Sequence, residues 1–265
     1  MARMMLLYNN HADSDGVAFS GGSWALPLTN LQDPRPSKKA RSSTASTVDS
    51  MFRVDLGSVM SFRALALTHT NLTAGALYRV TWYSDDYLTP IGNSGWLAVP
   101  GYPADDPDDI GASIFHVFAA STAARYWQFE INDGGNGAGF VEIGRLCMMD
   151  TWVPAYNFGT DNSEGAVPNT PRQNSLGGVG YFNRRKPARF FNFAFSTLPD
   201  AEIPTLRRIR KICNLDRQII VIPDPDDTAN LNDTCFLATL KELPSLALLL
   251  MGDASIGFQA TEVIG

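Results

Sequence analysis

Two runs of carboxylates, Asp105-Asp106-Pro107-Asp108-Asp109 and Asp224-Pro225-Asp226-Asp227, offer the oxygen donors that a hard cation requires. Neither has the D-x-[DN]-x-[DN]-G spacing of a calcium loop, so each reads as a solvated acidic loop before a metal site. A structural calcium is conceivable without a motif to support it, and no cofactor or metal residue is assigned. Paired carboxylates also serve glycoside hydrolysis, but there they must stand a set distance apart across a sugar, which spacing along a chain does not give. The other catalytic patterns are missing. His11, His69 and His116 are scattered and H-E-x-x-H does not occur. His116 falls in an alternating apolar stretch and reads as a hydrogen-bonded strand histidine rather than a ligand. There is no G-x-S-x-G and no Walker A motif. Gly135-Asn136-Gly137-Ala138-Gly139 precedes a strand-like stretch, whereas a phosphate cradle needs a following helix N-terminus, so it reads as a hairpin turn. No catalytic residue is assigned, and the chain is not expected to be an enzyme.

Residues suited to recognition are a different set. Arg207, Arg208, Arg210 and Lys211 lie opposite an apolar stripe. They form either a solvated face or a contact with an acidic neighbour, for instance Asp224, Asp226 and Asp227 of an adjacent identical subunit, since a ring interface pairs unlike surfaces. Trp24, Trp96 and Tyr102 sit in or beside turn-rich segments, where a sugar ring could stack on them or where they could plug the end of a sandwich.

The elements that carry these residues follow from periodicity. Phe52, Val54 and Leu56 alternate with Arg53 and Asp55 before Gly57, and Tyr78, Val80 and Trp82 alternate with Arg79 and Thr81. With Phe62–Thr68, Ile114–Phe118, Trp127–Ile131 and Phe140–Cys147, they make at least six strand candidates separated by Gly- and Pro-rich turns. Short strands without interposed helices predict an antiparallel β-sandwich over residues 1–150. From 151 to 180 prolines and glycines break any period, which reads as a linker or long loop. Residues 181–265 form a second unit. It has the strand Arg189–Thr197, with Phe191, Phe193 and Phe195 on one face, then a helix over about 200–213 capped by Asp200, with Leu206, Ile209 and Cys213 inward. The strands Gln218–Ile222 and Cys235–Leu243 follow, with a hairpin joining Leu246–Met251 to Ile256–Val263 through Gly252-Asp253-Ala254. The class is mainly β with one helix.

The 265 residues are 45% hydrophobic, enough to build a core without staples. With 21 basic and 27 acidic residues the net charge is -6, which speaks against sequence-independent nucleic-acid binding. Leu246–Met251, the longest apolar run, is far below the roughly 18 residues of a membrane span, and Met1–Tyr8 is too short for a signal h-region. A soluble protein made in a reducing cytoplasm is expected. Cys147, Cys213 and Cys235 are too widely spaced to suggest a zinc site and read as small buried apolar residues.

Three stretches carry a resemblance. Asn30–Gly57 (NLQDPRPSKKARSSTASTVDSMFRVDLG), followed by Phe62–Asn71, resembles the opening of galactose-binding-like, or discoidin-like, jelly rolls in tail proteins of bacterial viruses. Val141–Asn157 (VEIGRLCMMDTWVPAYN) is similar to the exit strand and connection of the same proteins. Arg189–Leu206 with Gln218–Asp226 resembles the β-barrel and helix of the distal-tail and tail-tube family. The sequence departs from comparable jelly rolls at Lys38-Lys39-Ala40-Arg41, where a tryptophan is often found, so no ligand pocket is carried over. The resemblance implies an N-terminal jelly roll and a C-terminal distal-tail-like barrel. It also implies a structural virion role at a phage tail tip, with the chain in a homo-oligomeric ring that contacts tail tube, tape-measure and hub proteins. The alternative is a carbohydrate-binding module for host-surface glycan.

Overall fold

The computed structural model describes residues 3–99, 113–159, 162–174, 180–249 and 253–265. Their strands are β1 (Met5–Asn10), β2 (Ala18–Ser20), β3 (Trp24–Leu26), β4 (Ala40–Ser42), β5 (Phe52–Thr68), β6 (Leu77–Tyr83), β7 (Pro90–Asn93), β8 (Leu97–Ala98), β9 (Ile114–Asn132), β10 (Glu142–Ile143) and β11 (Arg145–Trp152). In the second half follow β12 (Ser163–Val167), β13 (Arg172–Asn174), β14 (Gly180–Phe182), β15 (Ala188–Leu198), β16 (Gln218–Ile222), β17 (Phe236–Leu240), β18 (Leu246–Leu248) and β19 (Ala254–Glu262). The helices are α1 (Thr47–Ser50), α2 (Ile203–Cys213) and α3 (Leu231–Thr234).

Alternation places Phe52, Val54 and Leu56 of β5 in the core and leaves Arg53 and Asp55 on the other face. At Gly57, φ is +75°, a left-handed conformation that glycine adopts without strain. The alternation predicts a strand end there. Instead β5 bends and continues to Thr68, and its partner β9 runs unbroken through both segments expected as separate strands. Register shifts between Asp55 and Met60 and between Phe62 and Ala64 absorb the bend, as bulges do in long twisted ribbons. A smaller sheet, β10-β4-β3, supplies Ala40 and Ile143 to the same core as Trp127, Phe129 and Phe62, so the first half is a sandwich. Phe52 stacks on Phe129 at 4.9 Å in its centre.

In the second half Phe191, Phe193 and Phe195 point inward against Phe258, and α2 closes this core with Leu206, Ile209 and Cys213. The helix lies where expected, but Asp200 does not cap it. Asp200–Glu202 forms a 3₁₀ turn, and neither that turn nor α2 has a side-chain cap. Glu202 instead accepts hydrogen bonds from Trp152 Nε1 (2.9 Å) and the Ala155 backbone N–H (2.6 Å), tying the helix start to the end of β11.

The two halves share a sheet. Among the described residues the strand order is β12-β15-β19-β17-β16-β1-β11-β5-β9-β6-β7, every pairing antiparallel. This path is open, and the expected C-terminal barrel is not closed. The physical reason is β1: it pairs β16 on one edge and β11 on the other, so the edge that a barrel would close on itself is occupied. Its period of two sends Met4, Leu6 and Tyr8 into the second core, while Met5 and Leu7 join Ala64, Ala66, Cys147, Ile220 and Leu237 in a cluster spanning both halves. Buried Arg145 donates across the seam to Gln218 Oε1 (2.9 Å) and within its own half to Asp13 Oδ2 (2.6 Å). Part of the 151–180 stretch read as a linker or long loop is built into sheets: β12 pairs β15, and β13 pairs β14 in a separate hairpin.

Candidate functional site

The face of the β5–β9–β6 sheet turned away from the core gathers aromatic rings and arginines. Its rows follow from register: Arg79 stands opposite Glu130, Gln128 between Arg53 and Thr81, and Tyr126 between Asp55 and Tyr83. Arg79 binds Glu130 through two hydrogen bonds of 2.6 and 2.8 Å, and Arg125 binds Asp55 in the same forked way at 2.6 and 2.8 Å. Arg53 donates to Gln128 Oε1 at 2.8 Å. The turn between β6 and β7 places Asp86 (φ 26°) and Tyr87 (φ 62°) in the left-handed region, a costly choice for residues with a Cβ. That turn lays the Tyr87 ring 5.6 Å from Tyr83, 5.2 Å from Tyr126 and 4.9 Å from the Arg53 guanidinium. At the other end of the face Trp96, 40% exposed, has the Arg79 guanidinium 4.8 Å from its ring centroid.

The electrostatics keep this face ionised. The hydrogen bond from Arg125 holds the Asp55 carboxyl below the usual range, and the one to Glu130 holds the Arg79 guanidinium more firmly protonated. Burial pushes the Tyr87 hydroxyl upward, and the hydroxyl is buried without a hydrogen-bond partner. Planar donors and carboxylates beside rings of fixed orientation are equipment for binding a polyhydroxylated molecule. The rings take its C–H faces and the charged groups its hydroxyls. Arg79 and Arg125 are held by carboxylates and Arg53 by the Gln128 amide oxygen, none of them beside a nucleophile.

Of the residues singled out from sequence Trp96 stands on this face, and the other described ones are dispersed. Trp24 packs edge-on against Phe52 at 5.9 Å and donates from Nε1 to the Met51 carbonyl at the end of the sandwich. Tyr102 and the Asp105–Asp109 run lie outside the described residues. Arg207 and Lys211 are exposed, the Nε of Arg210 is buried and unpartnered, and Arg208 reaches Asp150 of its own chain at 3.2 Å. In the 224–227 turn, Asp224 accepts from the Asp226 N–H and Asp227 from Asn230. Asp133 at the glycine-rich turn accepts from the Thr73 N–H, the Thr73 hydroxyl and Asn136. His116 is buried, bonded to the Tyr78 hydroxyl at 3.1 Å, with its pKa pulled down to about 4 by burial. The three cysteines are buried, which pushes each thiol up to about 12. Among the described residues no group of three His, Cys, Asp or Glu could hold a metal, and no helix is long and apolar enough to cross a membrane. Sequence reasoning missed Tyr83, Tyr87 and Tyr126. The signal for two of them was the outward half of the alternation, Arg79-x-Thr81-x-Tyr83 and Tyr126-x-Gln128-x-Glu130.

No protein-family model matches the chain, and no curated protein matches it in sequence. Among solved structures it is similar to CpGH89CBM32-6 produced by Clostridium perfringens, at 14% identity and a TM-score of 0.38 over 54% of this chain and 100% of that one. The family 32 carbohydrate-binding module of C. perfringens NanJ, solved in complex with galactose, matches at 12% identity and a TM-score of 0.37, covering 53% and 96%. The lectin domain of lectinolysin, complexed with Lewis B antigen, matches at 14% and 0.38, covering 54% and 97%.

Proposed function

We propose that the chain is a carbohydrate-recognition protein whose binding surface is the outer face of the β5–β9–β6 sheet. The observation that carries this reading is the aromatic and guanidinium lattice of Trp96, Arg79, Tyr83, Tyr87 and Tyr126 on one sheet face. It supports recognition without turnover, because forked ion pairs hold the arginines in fixed planes. The test is calorimetric titration of the intact chain with neutral oligosaccharides of galactose, glucose and N-acetylglucosamine. Binding by one of them, weakened about ten-fold by Trp96→Ala, is expected, a loss of about 1.4 kcal/mol. Binding that W96A and Tyr87→Ala leave unchanged would place recognition elsewhere.

A second reading, a structural subunit of a viral tail tip that builds a ring with its own copies and joins neighbouring tail proteins, draws on a different region. β12 lies at an open end of the long sheet, and the β13–β14 hairpin exposes Tyr181 (62%) and Phe182 (67%). Free strand edges and exposed aromatic hairpins favour association. Rings seen by electron microscopy, alone or with co-expressed tail proteins, would support it; a strict monomer under every assembly condition would count against it.

A further inference from the structure

The geometry points to a second ligand site, in the groove at the seam of the two halves, and we infer that it takes a short oligosaccharide bearing carboxylates. The groove encloses about 960 Å³, the size of a pocket for a ligand of several rings. It lies on elements from both halves, β1, β5, β9, the end of β11 and the 225–228 turn, so neither half alone would form it.

Its lining has two chemistries. Arg3 and Arg63 supply guanidinium groups, the donors best shaped for a carboxylate. Each is held by backbone carbonyls: Arg63 donates to that of Phe118, and Arg3 to those of Pro154 and Ala155 at 3.3 Å. A carbonyl fixes a guanidinium without cancelling its charge, unlike the carboxylates that neutralise Arg79 and Arg125 on the sheet face. Ser121 and Thr228 add hydroxyls over a floor that includes Met5 and Phe118, the mixture that a sugar's polar edge and apolar face require. The Thr151 hydroxyl lies beneath this lining, buried and without a hydrogen-bond partner within the chain. Asp226 on the lip can accept from a sugar hydroxyl and opposes densely charged anions such as polyphosphate.

This inference rests on the reading that the chain binds glycans, but at a different place. Calorimetry on the intact chain with trigalacturonate and with the neutral trisaccharides distinguishes the two. Trigalacturonate should bind wild type and W96A alike, about ten-fold more weakly to Arg63→Gln, as expected for loss of a charge-assisted contact. If Arg63→Gln does not fold, Ser121→Trp, which fills the groove from an exposed position, should abolish binding. Trigalacturonate affinity untouched by R63Q and S121W, or lost with W96A, overturns the groove. Neutral binding lost in W96A with no trigalacturonate binding overturns the groove and leaves the sheet face standing; the converse leaves the groove and removes the face. No binding by any probe overturns both.

Discussion

The outward face of β5–β9–β6 and the outward face of β15–β19 are built by the same alternation and are chemically opposite. The first carries three tyrosines, a tryptophan and ion-paired arginines. The second pairs Asn192 with Gln259 and Ala194 with Gly257, and its one ring is Phe190, which lies across Gly165 of β12 so closely that a Cβ there would stand 2.7 Å from it. Both sheets bury phenylalanines on the inner side, so core demand does not distinguish them. What differs is the residue type allowed at positions that the core leaves unconstrained. Small neutral residues make a smooth sheet suited to close apposition, whereas rings and forked charges make a surface with directional contacts.

The largest expected effect removes an inner residue on which the smooth face depends. Phe193→Ala should cost about 3–5 kcal/mol by denaturant unfolding, because Phe193 stacks on Phe258 and meets Phe191 and Phe195 in the second core. If both halves unfold together in that variant, β1 couples them. Two separate transitions would show that the shared strand does not.

Acid should act on the sandwich half next. His116 titrates at 6.5 when exposed and near 4 when folded, so the unfolded chain binds the extra proton between those values. Stability is therefore full above pH 6.5 and falls as pH drops toward 4, by on the order of 3 kcal/mol for this group. His69, also lowered by burial, acts in the same sense. His116→Phe should flatten the slope of stability against pH in that window; an unchanged slope would refute the assignment.

Gly57→Ala should cost about 1–2 kcal/mol, since nothing lies nearer than 3.6 Å to the added methyl and only the positive φ resists it. A smaller cost would mean that the β5 bend relaxes. At the small end, Asn192→Ala on the smooth face should change stability by less than about 0.5 kcal/mol and leave any glycan titration unaltered. A ten-fold loss of glycan affinity in that variant would erase the contrast between the faces.

Much of this was legible before any coordinates. The inner faces of β5, β6 and β15, the amphipathic α2 and the burial of His116 follow from residues two, or three to four, positions apart, whose relation local geometry fixes. The proposed binding face was half legible: Arg79, Thr81 and Tyr83 alternate with core residues and Trp96 stands beside a turn, but the same turn signal marks Trp24, which packs into the sandwich end. Tyr87 was not legible, because its position over Arg53 depends on two non-glycine residues in the left-handed region.

By itself the sequence determined that this is an antiparallel, mainly β chain, which side of each strand is apolar, and where the helix runs. Periodicity is a property of the backbone and needs no partner to express it. Tertiary structure alone decided that β1 would be inserted between the halves, that β5 and β9 would each pass through a bend, and that Arg3, Arg63 and Thr151 would share a groove. Those outcomes depend on which edges pair between segments remote in the chain, across more than 140 residues for Leu6 and Trp152, and no local pattern records that choice.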